Sequence, residues 1–83
     1  QQVFYFDGYL LNQLSYNNIS LRPKIKDNTA VFAQYTGEDG KPWRVISYDL
    51  TKLNEDDASQ IIKEGYEPDS WPSFTAEGVK TSL

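Results

Sequence analysis

The sequence predicts an α+β domain: a five-stranded antiparallel meander, curled or barrel-like, carrying one α-helix and an irregular or extended C-terminal tail. Three observations lead there. Turn-forming residues recur at Asp7-Gly8, Asn17-Asn18, Asp27-Asn28 and Glu38-Asp39-Gly40, about ten residues apart, which is the rhythm of short strands joined by tight turns. The segments between them favour strand, with β-branched and aromatic residues prominent. One later stretch carries helix-end signals instead, Asn54 before an acidic run and Gly65 after it.

The first strand is the aromatic run Val3-Phe4-Tyr5-Phe6, closed by Asp7-Gly8, and the second runs from Tyr9 to Tyr16. Ile19 to Lys26 alternates most cleanly, with Ile19, Leu21, Pro23 and Ile25 on one side and Ser20, Arg22, Lys24 and Lys26 on the other. The fourth and fifth strands form the hairpin within Thr29 to Asp49.

Tight turns fix the register. Phe6 is expected opposite Tyr9, Tyr16 opposite Ile19, Lys26 opposite Thr29, Gly37 opposite Lys41, Tyr35 opposite Trp43 and Phe32 opposite Ile46. One face then gathers Val3, Tyr5, Leu10, Leu14, Tyr16, Ile19, Leu21, Pro23, Ile25, Ala30, Phe32, Ile46 and Tyr48 as the core. The other face has the polar row Arg22, Lys24, Lys26 between two apolar patches: Phe4, Phe6, Tyr9 and Leu11 on one side, and Val31, Ala33, Tyr35, Trp43 and Val45 on the other. Small soluble domains seldom leave such areas open, so a cover is expected on at least one.

The helix, over about residues 55–64, is the expected cover. Asn54 serves as N-cap, Glu55, Asp56 and Asp57 favour the positive end of the dipole, and Lys63 favours the negative end. Ala58, Ile61 and Ile62 supply a narrow apolar stripe, extended by Leu53 and Tyr66. In the tail, Pro68 and Pro72 bracket a loop anchored by Trp71, and Ser73 to Leu83 reads as a last strand with Phe74, Ala76 and Gly78 on one face.

Length and composition bound the function. The 83 residues are expected to form a single small domain, 1–83, and with no cysteine or histidine its core must come from packing. Two Trp, six Tyr and four Phe provide large buried area for that purpose. Ser-His and Cys-His nucleophilic pairs are excluded, as is a Cys/His zinc site. A carboxylate pair is the chemistry left open, but most of the carboxylates occupy turns or the helix start, and Glu55, Asp56 and Asp57 on consecutive helical positions would diverge rather than converge on one cation. No catalytic, cofactor-binding or metal-binding residue is assigned, and the chain is not expected to be an enzyme.

The expected role is a non-catalytic interaction module binding another protein, of the small acidic inhibitor or adaptor kind. Tyr35, Trp43, Trp71 and Arg44 are the candidate anchors, because Trp, Tyr and Arg dominate interface energetics. The alternative is a single-stranded nucleic-acid-binding sheet, with Arg22, Lys24 and Lys26 as a basic track and Tyr9, Tyr35 and Trp43 as stacking platforms. A net charge of −4 disfavours that alternative. A third option is an accessory domain of a larger enzyme, since the chain opens on Gln1. No run approaches a membrane span; absent thiols lean towards the cytoplasm, and the opening residue also fits a removed leader.

Overall fold

The computed structural model describes residues 1–66, 70–75 and 78–82. Strand accounts for 58% and helix for 4%, so the domain is nearly all β. The α+β expectation is overturned, because among the described residues no α-helix is packed on a sheet. The strands are β1 (Phe4–Phe6), β2 (Leu11–Gln13), β3 (Ile19–Lys26), β4 (Thr29–Tyr35), β5 (Trp43–Asp49), β6 (Ser59–Gly65), β7 (Ser70–Thr75) and β8 (Gly78–Ser82). A 3-10 turn, Leu50–Lys52, follows β5.

They form three antiparallel sheets instead of one five-stranded meander: β1-β2, β3-β4-β5-β6 and β7-β8. The central hairpin holds the register expected from its turn, with Tyr35 opposite Trp43 and Phe32 opposite Ile46. Its loop is wider than a three-residue turn: beyond that last rung the Thr36 amide donates to the Pro42 carbonyl at 2.8 Å. The loop reverses through Gly37 and Gly40, both at positive φ. Lys26 also faces Thr29 as expected, with Asp27 in the left-handed region at φ 54°.

The other two expected turn pairings fail. Phe6 pairs with Leu11 rather than Tyr9, because the Asp7 carboxylate accepts from the Tyr9 and Leu10 amides and makes a wider loop. Asn17, at φ 72°, turns the chain after β2 without pairing β2 to β3.

The expected helix over 55–64 is a turn followed by strand β6. Asn54 has φ 70°, whereas an N-cap residue is extended. Asp57 is engaged by Lys52 Nζ at 3.1 Å, across the turn. From Ser59 onward the chain pairs with β5, between Tyr48↔Ser59 and Trp43↔Gly65. Two competing terms decide this. A stripe of Ala58, Ile61 and Ile62 is too narrow to stabilise a short helix, while the outer edge of β5 offers a row of backbone partners to a β-branched segment. Gly65, expected as a helix C-cap, is a buried strand residue opposite Trp43.

The alternation in β3 is broken by a bulge between Leu21 and Lys24. Arg22 sits there at φ 58°, and Pro23, which cannot donate to a ladder, occupies the same irregularity on an edge strand. One extra residue reverses the faces, so Ile19 and Leu21 lie opposite Tyr35 and Ala33, away from the core, while Ser20 faces Gln34 and Ile25 faces Ala30.

The core lies on one face of the central sheet: Val3, Leu14, Ala30, Phe32, Ile46, Tyr48, Leu50 and Ala58, with Tyr5 and Leu53 packed against it. Six of these (Val3, Leu14, Ala30, Phe32, Ile46, Tyr48) belong to the expected set. Leu10, Tyr16, Ile19 and Ile25 of that set lie outside the core, being roughly half to two-thirds exposed, and so do Leu21 and Pro23. On the opposite face Val31, Ala33 and Val45 are fully buried, and β7 lies against β3 and β4. The cover expected of a helix is therefore supplied by the β7-β8 hairpin, whose Pro72 is fully buried at a bulge between Ser70 and Ser73. This hairpin replaces the loop and single last strand expected of the tail; Pro68 and Ala76 lie outside the described residues. No helix among the described residues is long and apolar enough to cross a membrane.

Candidate functional site: an uncovered hairpin face

With β7-β8 on one face of the central sheet, the N-terminal hairpin keeps an open apolar side. Period two along each strand sends Tyr5 towards the core and Phe4 and Phe6 away from it. Phe6 is opposite Leu11, so these rings and the leucine share the outward face. Their exposures are 51% for Phe4, 62% for Phe6 and 66% for Leu11, and the loop adds Tyr9 at 91% and Leu10 at 68%.

The hairpin is held at both ends. At the root, Ser15 is buried; its hydroxyl accepts from the Val3 amide at 2.9 Å and donates to Gln2 Oε1 at 2.6 Å. The Leu14 amide donates to the Val3 carbonyl at 2.8 Å. The Gln1 carbonyl accepts from the Ser20 amide at 3.0 Å, which ties the N-terminal segment to the outer edge of β3. At the tip, the Asp7 carboxyl is held below its ordinary value of 3.8 by the Leu10 and Tyr9 amides and the Asn12 side chain. A small apolar groove of about 180 Å³, bordered by Phe4, Pro23 and Ile25, separates the hairpin from β3.

Three of the four expected anchors do come together. The Tyr35 and Trp43 rings are 5.1 Å apart, and Trp71 meets Trp43 edge-on at 5.8 Å. Arg22 stands 5.6 Å over the Trp71 ring. These contacts join β4, β5 and β7, so the aromatic groups are largely spent on holding the C-terminal hairpin to the sheet. Trp43 and Trp71 are half-buried. Arg44, the fourth anchor, points to the other face, where its Nε donates to Gln34 Oε1 at 2.7 Å.

The basic and aromatic residues of the nucleic-acid alternative are dispersed. The bulge separates Arg22, on Trp71, from Lys24 and Lys26, which face Val31 and Thr29 and are exposed. Tyr9 lies in the loop of the β1-β2 hairpin, apart from the central sheet.

Among the described residues, no group of three or more carboxylates converges on a point that would hold a metal ion. Glu55, Asp56 and Asp57 lie in the turn before β6, not on the first turn of a helix. The Lys52 ammonium is raised above its ordinary value by its hydrogen bond with Asp57.

The open residues Phe4, Phe6, Leu10 and Leu11 were not among the expected anchors. Their signal in the sequence is the period-two placement of Phe4 and Phe6 beside a single covering element. That element had two apolar patches to choose between. Comparison of the chain with protein families, curated proteins and solved structures found no match.

Proposed function

We propose that this domain is a non-catalytic interaction module that docks another protein on the outward face of the β1-β2 hairpin. The observation that carries the reading is the row Phe4, Phe6 and Leu11, each more than half exposed and fixed on one side of a braced hairpin. Contiguous apolar surface of this kind is costly to leave in water, and in small soluble domains it marks a surface covered by a partner. The absence of cysteine and histidine supports a role without chemistry of its own. Asp7 at the tip and the net charge of −4 favour a partner with an apolar centre and a basic rim.

The hairpin face replaces the Tyr35/Trp43 tip as the preferred surface, because those rings already have intramolecular partners. A photo-activatable phenylalanine analogue placed at Phe6, with Ile62 on the exposed β6 edge as the control position, tests the reading in extract. A discrete protein adduct from position 6 and none from position 62 is expected. Equal labelling at both positions, or a Phe6-dependent association with lipid vesicles instead of protein, would contradict it.

A further inference from the structure

The N-terminal hairpin leaves one end of the core face open, and a cleft of about 560 Å³ lies there. That volume falls within the roughly 300–1,000 Å³ of small-molecule sites. Its apolar lining is Phe32, Ile46 and Leu14, with Tyr16 and Ile61 more exposed to solvent. Its polar side includes Gln34 on β4 and Arg44 on β5, the last two of a row across three strands that starts behind the lining at Ser20 on β3.

This row is a positioning device. Gln34 and Ser20 are buried, and the Gln34 amide nitrogen donates to the Ser20 hydroxyl at 3.0 Å. That bond orients the Gln34 carbonyl, which accepts from Arg44 Nε at 2.7 Å. The half-buried guanidinium is thereby held by one edge, and the Arg44 side chain makes no further hydrogen bond among the described residues. Glu64 is directly opposite Arg44 on β6, yet Lys52–Asp57 is the only ion pair among the described residues. Among the described residues Arg44 is also the only charged one lining the cleft.

A buried amide that fixes an arginine beside an apolar hollow has a specific chemical complement. A guanidinium with free terminal N–H groups matches a carboxylate in a planar, two-bond geometry. We propose that this cleft binds a monocarboxylate joined to an apolar or aromatic body, the carboxylate on Arg44 and the body against Phe32, Ile46 and Tyr16. One cation and an overall charge of −4 favour a monoanion over a phosphate dianion, whose repulsion from the acidic domain is about twice as large. The carboxylate can belong to a free small acid or to the end of a peptide chain, and the two sources share this chemistry. The site is independent of the hairpin face.

The test is a nitrogen-15 NMR titration with three probes: benzoate, N-acetylphenylalanine and the uncharged amide of N-acetylphenylalanine. The two acids are expected to move the Arg44 Nε–H signal and the Gln34 and Asn18 amides, with dissociation constants on the order of 1 mM, and the neutral amide to bind at least about tenfold more weakly. Arg44→Gln should erase that preference, while Arg44→Lys, which keeps the charge but not the fork, should retain part of it. Tighter binding of benzoate assigns the site to free acids; tighter binding of N-acetylphenylalanine assigns it to chain ends. Equal affinity of acid and amide would overturn the proposal. So would the absence of shifts at Arg44 with acid present at about ten times a millimolar dissociation constant. The wild-type comparison of acid with amide decides the matter even if a variant fails to fold.

Discussion

Single side chains decide how the N-terminal hairpin is presented, and Ser15 has the largest share. Its buried hydroxyl is the partner of the Val3 amide, so removing it leaves a donor without a partner beside the core. Ser15→Ala should lower the unfolding free energy by about 1–3 kcal/mol, measured by denaturant unfolding with an unchanged m value. At the tip, Asp7 acts only when ionised. Its folded-state pKa is depressed, so its contribution is present above the ordinary 3.8 and is lost as pH falls through the lower folded value. Amide exchange at Tyr9 and Leu10 should accelerate selectively in that acid window, and Asp7→Ala should show the accelerated rate at neutral pH as well. If acid leaves both amides unchanged in the wild type, the carboxylate is not holding the loop.

At the scale of the element, the informative segment is β6, where local signals and tertiary demand disagree. The sequence around Asn54 and Gly65 has the punctuation of a helix, and nothing local opposes it. The opposing influence is the unpaired edge of β5, whose register depends on residues some fifteen positions upstream. Gln60 is exposed opposite Ser47 and reports the local state with little packing bias. In a strand Gln60→Thr should be more stable than Gln60→Ala, by up to about 1 kcal/mol; in a helix the order reverses, by roughly 0.6 kcal/mol. The sign of the difference in thermal unfolding therefore separates the two structures. The same reasoning explains which hairpins were legible beforehand. Asp27-Asn28 and the Glu38-Asp39-Gly40 region place their strands through local turn chemistry, and their registers are as expected. The Arg22 bulge was not legible, because an unbroken alternation from Ile19 to Lys26 looks the same whether or not one residue is left unpaired.

At the scale of the molecule, two apolar patches compete for cover on the central sheet and the N-terminal hairpin. The sequence defines both patches, since Phe4 and Phe6 are out of phase with the core just as Val31, Ala33 and Val45 are. What it does not define is the identity of the cover. Pro72 interrupts the first strand after β6, and its acceptance at a bulge is visible only in three dimensions. Once β7-β8 takes the central patch, through Trp71 on Trp43 and the buried Pro72, the hairpin face is left over, and the Arg44 cleft opens at the other end of the core. Three expected anchors thus became internal supports, while the fourth, Arg44, moved to a separate site.

The central claim is that Phe6 and Leu11 are kept exposed for a partner and are not needed for folding. It is tested most directly by the double variant Phe6→Ser, Leu11→Ser, comparing its unfolding free energy with its affinity for the protein cross-linked through position 6. Stability within about 0.5 kcal/mol of wild type, together with an affinity loss of about thirtyfold or more, is the expected result. A stability loss of about 2–5 kcal/mol would show that these side chains belong to the core, and an unchanged affinity would show that the partner binds elsewhere; either contradicts the claim.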